Sequence, residues 1–312
     1  MIALLAAPCI ASAQDYPNRP IRMVAPFPAG GGADIYGRIL AKKMSEIFQQ
    51  QLVVDNRSGA NGIIGTEIVA KAVPNGYTVL FTTSSHVLNP AIRRDLPYDT
   101  LKDFAPISLF TEFPFYLVSS PSFPPRSVPE LLALARAKPG QINYASISTG
   151  SAQHFAGEML KAYAKIDIIR IGYKGVPGAL TDVYAGAVAF TFLGPTIMPT
   201  VKVGKLRALA VTAAKRSFAW PEVPTIQEGG VPNYHFTQWN GLLAPRNTPE
   251  PVVTRLHQAV VQTLQDPSVA KTLHADGTDP RGNTPEQFRD FLMQEIAKYQ
   301  ELARDKVGFE AD

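Results

Sequence analysis

Short apolar runs alternate along this chain with longer stretches whose apolar residues recur at helical spacing, and glycine or proline marks most of the junctions. Pro20 to Ala25 predicts a strand, Pro26 to Asp34 a glycine-rich loop, and the stretch reaching Gln51 an amphipathic helix. Leu52 to Val54 and Tyr77 to Thr83 repeat the strand signal, with a helix predicted between them over Gly62 to Ala72. Alternation of this kind is the pattern of a parallel sheet covered by helices.

A second alternating series follows Pro121 to Pro125. Ser127 is placed to cap a helix with Pro129 and Glu130 in its first turn, and strands fit Ile142 to Ala145, Ile168 to Ile171 and Val188 to Leu193. Near the C-terminus, Thr248-Pro249-Glu250 and Thr284-Pro285-Glu286 are two helix starts of one design: a hydroxyl cap, a proline at a position that needs no N–H, and an acid facing the helix dipole. In the second helix Phe288, Phe291, Leu292, Tyr299 and Leu302 share a face expected to pack on a domain.

A length of 312 residues suits two α/β domains, or one large one, and 46% hydrophobic with 18% charged residues describes a globular chain. No apolar run reaches the roughly 18 residues of a spanning helix. The net charge of +4 is dispersed, without the basic clusters that mark nucleic-acid binding. Met1 to Gln14 carries no charge and ends in Ala11-Ser12-Ala13, a small-residue pattern suited to signal-peptidase cleavage, so residues 1–13 are expected to direct export to the periplasm. Cys9, the only cysteine, falls inside that segment, which leaves the mature chain no disulfide or thiol chemistry.

Three loops carry the chemistry. In Pro28-Ala29-Gly30-Gly31-Gly32-Ala33-Asp34 the glycines let backbone approach a ligand, and the helix that follows presents N–H groups suited to an anion. The spacing matches neither dinucleotide nor P-loop fingerprints. Ser146 to Ser151 repeats the arrangement before a second helix containing His154, adding hydroxyls. Tyr173 to Gly178 opens a third loop, with Asp182 in the next helix. If two such loops face one cleft, a small acid bridges them and its binding favours closure. A rival reading makes Ser151, His154 and Asp182 the machinery of a secreted enzyme, although no G-x-S-x-G elbow is present. The five histidines lack metal-ligand spacing, so neither metal nor cofactor is expected. Trp239 suits either a cleft wall or the core.

With these loops in view the chain resembles the Bug-type substrate-binding proteins of tripartite tricarboxylate transport systems, from about Tyr16 to the C-terminus. The resemblance rests on Tyr16-Pro-Asn-Arg-Pro20, Pro26-Phe-Pro-Ala-Gly-Gly31, Asn56-Arg-Ser-Gly-Ala60, Asn75-Gly-Tyr-Thr78, Leu96-Pro-Tyr-Asp99, Lys102-Asp-Phe-Ala-Pro106, Tyr173-Lys-Gly175, Gly204-Lys-Leu-Arg-Ala-Leu-Ala210 and Gly241-Leu-Leu-Ala-Pro245. It implies a type II periplasmic-binding-protein fold: two α/β domains, residues 15–120 with 236–312 and residues 121–235, joined by two hinge crossings near Pro121 and Pro232. It also implies a protein that hands a small carboxylate ligand, a di- or tricarboxylate, an aromatic acid or a related organic acid, to a membrane transporter; a sensor is the alternative recipient, and a monomer is the default expectation. Carried over, Phe27, Pro28, Ala29, Gly30, Gly31 and Asp34 face Ser146, Thr149, Gly150, Ser151, His154, Tyr173 and Asp182, with Ser84 and His86 completing the wall. The chain departs from that pattern at Phe192-Leu193-Gly194-Pro195, where relatives carry a polar residue after the phenylalanine; this weakens the case for an amino-acid ligand and favours an apolar or aromatic carboxylate.

Overall fold

The computed structural model describes residues 16–305; the expected export segment, with Cys9, lies outside them. A first sheet begins with β1 (Ile21–Ala25), α1 (Gly32–Phe48), β2 (Leu52–Asn56), α2 (Ile63–Ala70), β3 (Thr78–Thr83), α3 (Ser85–Ile92) and β4 (Phe104–Pro114). The chain then crosses into a second sheet through β5 (Tyr116–Ser119), α4 (Val128–Ala137), β6 (Ile142–Ser146), α5 (Ala152–Ala164), β7 (Ile168–Gly172), α6 (Val176–Ala185), β8 (Phe190–Leu193), α7 (Met198–Lys202) and β9 (Arg207–Val211). It returns to the first with β10 (Thr237–Pro245), α8 (Glu250–Gln265), α9 (Pro267–Asp276), β11 (Asp279–Pro280) and α10 (Pro285–Asp305).

The sheet orders are β11-β4-β10-β3-β1-β2 and β7-β6-β8-β5-β9. In each, the strands legible in the sequence are parallel: β1 with β2 and β3, and β6 with β7 and β8. Antiparallel strands complete both sheets, β10 between β3 and β4, and β5 between β8 and β9. The sequence pattern did not predict β4, the longest strand. It is buried on both faces and so lacks alternation, and Pro106 interrupts it beside a register shift in its pairing with β10.

The chain changes sheet at Phe115, between Pro114 of β4 and Tyr116 of β5, a few residues before the Pro121 stretch to which the resemblance assigned the crossing. One buried threonine ties both crossings. The Phe115 N–H donates to Thr212 Oγ1 (2.8 Å), Thr212 N–H donates to the Phe115 carbonyl (2.8 Å), and the Thr212 hydroxyl donates to the Phe236 carbonyl (2.7 Å). The rings of Phe115 and Phe236 stack with centroids 5.7 Å apart. Neither crossing can shift without the other.

Helix starts follow the capping signals with one exception. Ser127 accepts from Glu130 N–H, and Thr284 and Gln287 bond reciprocally, at 3.2 and 3.0 Å, in a capping box. Thr248 does not cap α8: its hydroxyl turns back to the Pro245 carbonyl (2.7 Å), and Pro249 occupies the cap position. Phe288, Leu292 and Tyr299 of α10 are fully buried, and Trp239 packs edge-on against Phe288 and Phe291, which settles Trp239 as core.

Candidate functional site

Between the two sheets lies a cavity of about 210 Å³, smaller than the roughly 300–1,000 Å³ of drug-sized pockets and suited to a small metabolite. Its walls come from both halves of the molecule. The first contributes Phe27, Pro28, Ala29 and Gly31 from the glycine loop, Gly32, Ala33 and Tyr36 from α1, Asn61, and Thr83 and Ser85 around the end of β3. Facing them are Ile147 just after β6, Ser151, Ala152 and Gln153 at the start of α5, Gly175 to Pro177 at the start of α6, Leu193 at the end of β8, and Gly194, Thr196 and Ile197 beyond it. Phe113, Phe115, Gln238 and Asn240, around the crossing strands, close the floor.

Three helices point their N-termini at this space. Gly31 precedes α1 and Gly175 precedes α6 with no side-chain cap on either, and in α5 the Ser151 hydroxyl satisfies only the His154 N–H. The N–H groups of Gly32, Ala33, Ala152, Gln153 and Val176 therefore have no carbonyl acceptor within their own helices. Each helix end adds a partial positive charge. Among the described residues no Asp, Glu, Lys, Arg or His lines the cavity, so its polarity toward an anion comes from backbone N–H groups, hydroxyls and the carboxamides of Asn61, Gln153, Gln238 and Asn240.

Of the residues anticipated from sequence, Phe27, Pro28, Ala29, Gly31 and Ser151 line the cavity, and the others stand elsewhere. Asp34 lies behind the glycine loop, 4% exposed, where it accepts from Gly30 N–H (2.9 Å), Arg38 Nε (2.9 Å) and Asn56 Nδ2 (2.9 Å). Burial alone would raise its carboxyl; the bonds to Arg38, Gly30 and Asn56 outweigh burial and hold it below the usual range. Gly30 supplies the left-handed turn (φ 80°) that presents its N–H to Asp34. Ser146 and Thr149 receive the Arg170 guanidinium at 3.2 and 3.3 Å, which braces the second loop from behind. The Tyr173 hydroxyl donates to Asp182. The Ser84 hydroxyl donates to Gln238, which itself lines the floor.

His86 is not a wall residue. It lies in the core, stacked on Tyr98 and edge-on to Phe104, with Nε2 donating to the Thr100 carbonyl at 3.0 Å. The resemblance placed it on the cleft wall; α3 begins at Ser85 and turns the side chain inward. Ser151 and His154 are not paired as nucleophile and base. His154 Nδ1 accepts the Gly150 N–H (3.0 Å), and the Ser151 hydroxyl accepts the His154 backbone N–H (3.2 Å).

Sequence reasoning missed Tyr36, Asn61, Phe113 and Phe115. Only Asn61 had a local signal, its place between two glycines, where it adopts a left-handed conformation (φ 52°). Its carboxamide spans the mouth of the cleft: Nδ2 donates to the Gly150 carbonyl (2.8 Å) and Oδ1 accepts from Ser148 (3.2 Å). Asn89 steadies it from its own side at 2.9 Å.

Asp34→Ala is expected to leave three donors without their acceptor, loosening the glycine loop. Ligand affinity should fall about 10-fold and stability by roughly 1–3 kcal/mol, read by calorimetry and urea unfolding. Because the folded-state carboxyl is depressed, the wild-type contribution is present above the unfolded value near pH 4 and lost as pH falls through the folded one. Unchanged affinity would show that the loop holds its shape without this anchor.

Among known proteins, the family described as tripartite tricarboxylate transporter family receptor matches residues 36–307. The chain is 35% identical to protein BugT of Bordetella pertussis over 96% of this chain and 93% of that protein. Solved structures agree. One described as a periplasmic transporter shares 38% identity at a TM-score of 0.89, covering 93% of this chain and 98% of that one. An R. palustris protein solved with adipate shares 35% at a TM-score of 0.89 over the same shares of the two chains. A Rhodopseudomonas palustris protein solved with bound malate shares 29% at 0.86, covering 93% of this chain and all of that one. The two-sheet architecture is thus the type II periplasmic-binding fold, and this chain belongs to the tripartite tricarboxylate transporter receptor family, whose members are periplasmic binding proteins.

Proposed function

We propose that the protein is an exported receptor that captures a small carboxylate between two domains and presents it to a membrane transporter of the tripartite tricarboxylate type. The observation that carries this reading is the cavity itself, where helix N-termini from both halves converge on a space with no charged side chain. The relatives solved with adipate and malate hold carboxylates on the same fold. We take the domains as the two sheets with their helices, hinged at Phe115 and Phe236; the export segment expected from the sequence and the family's periplasmic setting support delivery outside the cytoplasm.

Binding, not turnover, fits the bonding of Ser151 and His154, since each is engaged with backbone and neither is poised toward the other. Calorimetry on the mature chain from Gln14 onward, against mono-, di- and tricarboxylates, aromatic acids and amino acids, is expected to give at least one micromolar carboxylate, about 8 kcal/mol at the standard state, recovered chemically unchanged. Consumption of the acid, abolished by Ser151→Ala, would replace this reading with an enzymatic one. Silence across all acids would remove the carboxylate from the cleft.

A further inference from the structure

We infer that the groove between the end of α3 and α10 is a second ligand site, one that takes a phosphate-class oxyanion on Arg93, Arg94 and Thr100. The groove has a volume of about 500 Å³, and with those three residues it is lined by Leu101 ahead of β4 and by Ile296 and Gln300 of α10. It shares no lining residue with the cavity between the sheets.

Three observations point to an anion. Arg93 Nε is buried without a hydrogen-bond partner, although the Arg93 backbone N–H closes α3 on the Asn89 carbonyl at 2.9 Å. Thr100 is 6% exposed and its hydroxyl is also unpartnered, while its carbonyl is fixed by His86 Nε2 at 3.0 Å. Among the described residues neither Arg93 nor Arg94 forms an ion pair. Asp99, the one carboxylate among the described lining residues, is turned to the N–H groups of Leu101 (3.0 Å) and Lys102 (2.9 Å) and to Lys102 Nζ (3.3 Å). Buried donors are seldom left without an acceptor, and two neighbouring guanidinium groups without a counter-charge attract one. A water answers one open donor and none of the charge. A tetrahedral oxyanion presents acceptors in several directions, so it can meet guanidinium N–H groups from the end of α3 and a hydroxyl from the loop before β4 together.

An occupant here acts on the cleft through α3. Ser85 at the start of this helix lines the cavity, Asn89 bonds Asn61 at the mouth (2.9 Å), and a Cβ built on Gly150 of the opposite half would lie 2.2 Å from Ile92 Cδ1. Tying Arg93 to Thr100 fixes the helix end beside that mouth.

Heteronuclear magnetic-resonance spectra of the mature chain, titrated with inorganic phosphate at constant ionic strength, test this. The Arg93 Nε–H signal is expected to shift and saturate with a midpoint of about 1 mM or lower. Arg93→Lys keeps the charge but loses the planar fork and should bind at least about 10-fold more weakly. Thr100→Val keeps the shape, loses only the hydroxyl and should cost about 5-fold. At a concentration that saturates the wild type, amide exchange in α3 should slow at least about 5-fold, and by less in Arg93→Lys. An Arg93 signal that does not move overturns the site, and so does equal binding by Arg93→Lys, which reduces it to an adventitious ion on a positive surface. Shifts confined to the starts of α1, α5 and α6 put the anion in the cleft and overturn it as well. Saturation at Arg93 with α3 exchange unaltered removes the connection to the mouth.

Discussion

Gly150→Val is expected to weaken every ligand of the cleft by at least about 100-fold while leaving the two sheets folded. Gly150 sits at the lip of the second half with φ 75°, a conformation that β-branched residues almost never adopt. A Cβ built there would lie 2.2 Å from Ile92 Cδ1 and 3.3 Å from Ile92 Cγ1, both on α3 of the opposite half. The tip of Ile92 can swing aside for one methyl group, but the two valine methyls follow it into the seam. The same residue's carbonyl receives Asn61 Nδ2, so a wedge at this point also parts the bridge to Asn61 and the neighbouring Ser148–Asn61 bond at 3.2 Å. Opening a closed state by about 2.7 kcal/mol corresponds to the stated factor, and two cross-lip bonds of roughly 1 kcal/mol each together with an overpacking cost of about 1–3 kcal/mol against Ile92 reach it. Asn61→Ala removes the bonds without the wedge and should cost about 10-fold. Calorimetry gives the affinities and far-ultraviolet circular dichroism the fold. Wild-type affinity in Gly150→Val would mean that the bound form does not close at this lip.

This lip shows which parts of the site a sequence carries. Loops announced by glycine and by capping hydroxyls were legible, because a left-handed turn or a helix start needs particular residue types. Gly31 and Ser151 were marked in that way and stand on the cavity wall, whereas Asp34, Ser146 and Thr149, read as facing the ligand, hold the loops from behind and do not line the cavity. Phe113, Phe115 and Asn240 reach the floor only because β4 and β10 pair antiparallel across 130 or so residues of chain, and no local pattern records such a pairing. Thr212, which ties the crossings, is one threonine among many until Phe115 and Phe236 are brought beside it. Side-chain type is therefore a good guide to how a loop is shaped and a poor one to which of its atoms face the cavity.

His86 illustrates the same point with a measurable consequence: below neutral pH it should be among the largest single costs to the folded state. It is wholly buried, its Nε2 bonds the Thr100 carbonyl, and its Nδ1 has no hydrogen-bond partner, so a second proton would sit on a nitrogen with nothing to accept from it. Burial pushes the imidazole down to about 4, against a backbone bond to Thr100 that acts weakly in the other direction. In the unfolded chain the same group titrates near 6.5. As pH falls below that value the unfolded state takes up a proton that the folded state refuses, and stability drops by about 1.4 kcal/mol per pH unit until the folded group itself titrates near pH 4, roughly 3 kcal/mol in all. His154 acts in the same direction, lowered to about 3 by burial and by Arg170 and Lys161. His86→Phe preserves the ring against Tyr98 and Phe104 but loses the bond to Thr100, so it should be about 1 kcal/mol less stable than wild type at pH 8. Urea unfolding at pH 8, 6 and 4.5 is expected to show the deficit shrinking and then reversing, because the variant lacks this acid-sensitive imidazole. Parallel stability curves for the two proteins across that range would mean that His86 accepts its proton in the folded state, and the aromatic pocket around it would have to open to water to allow it.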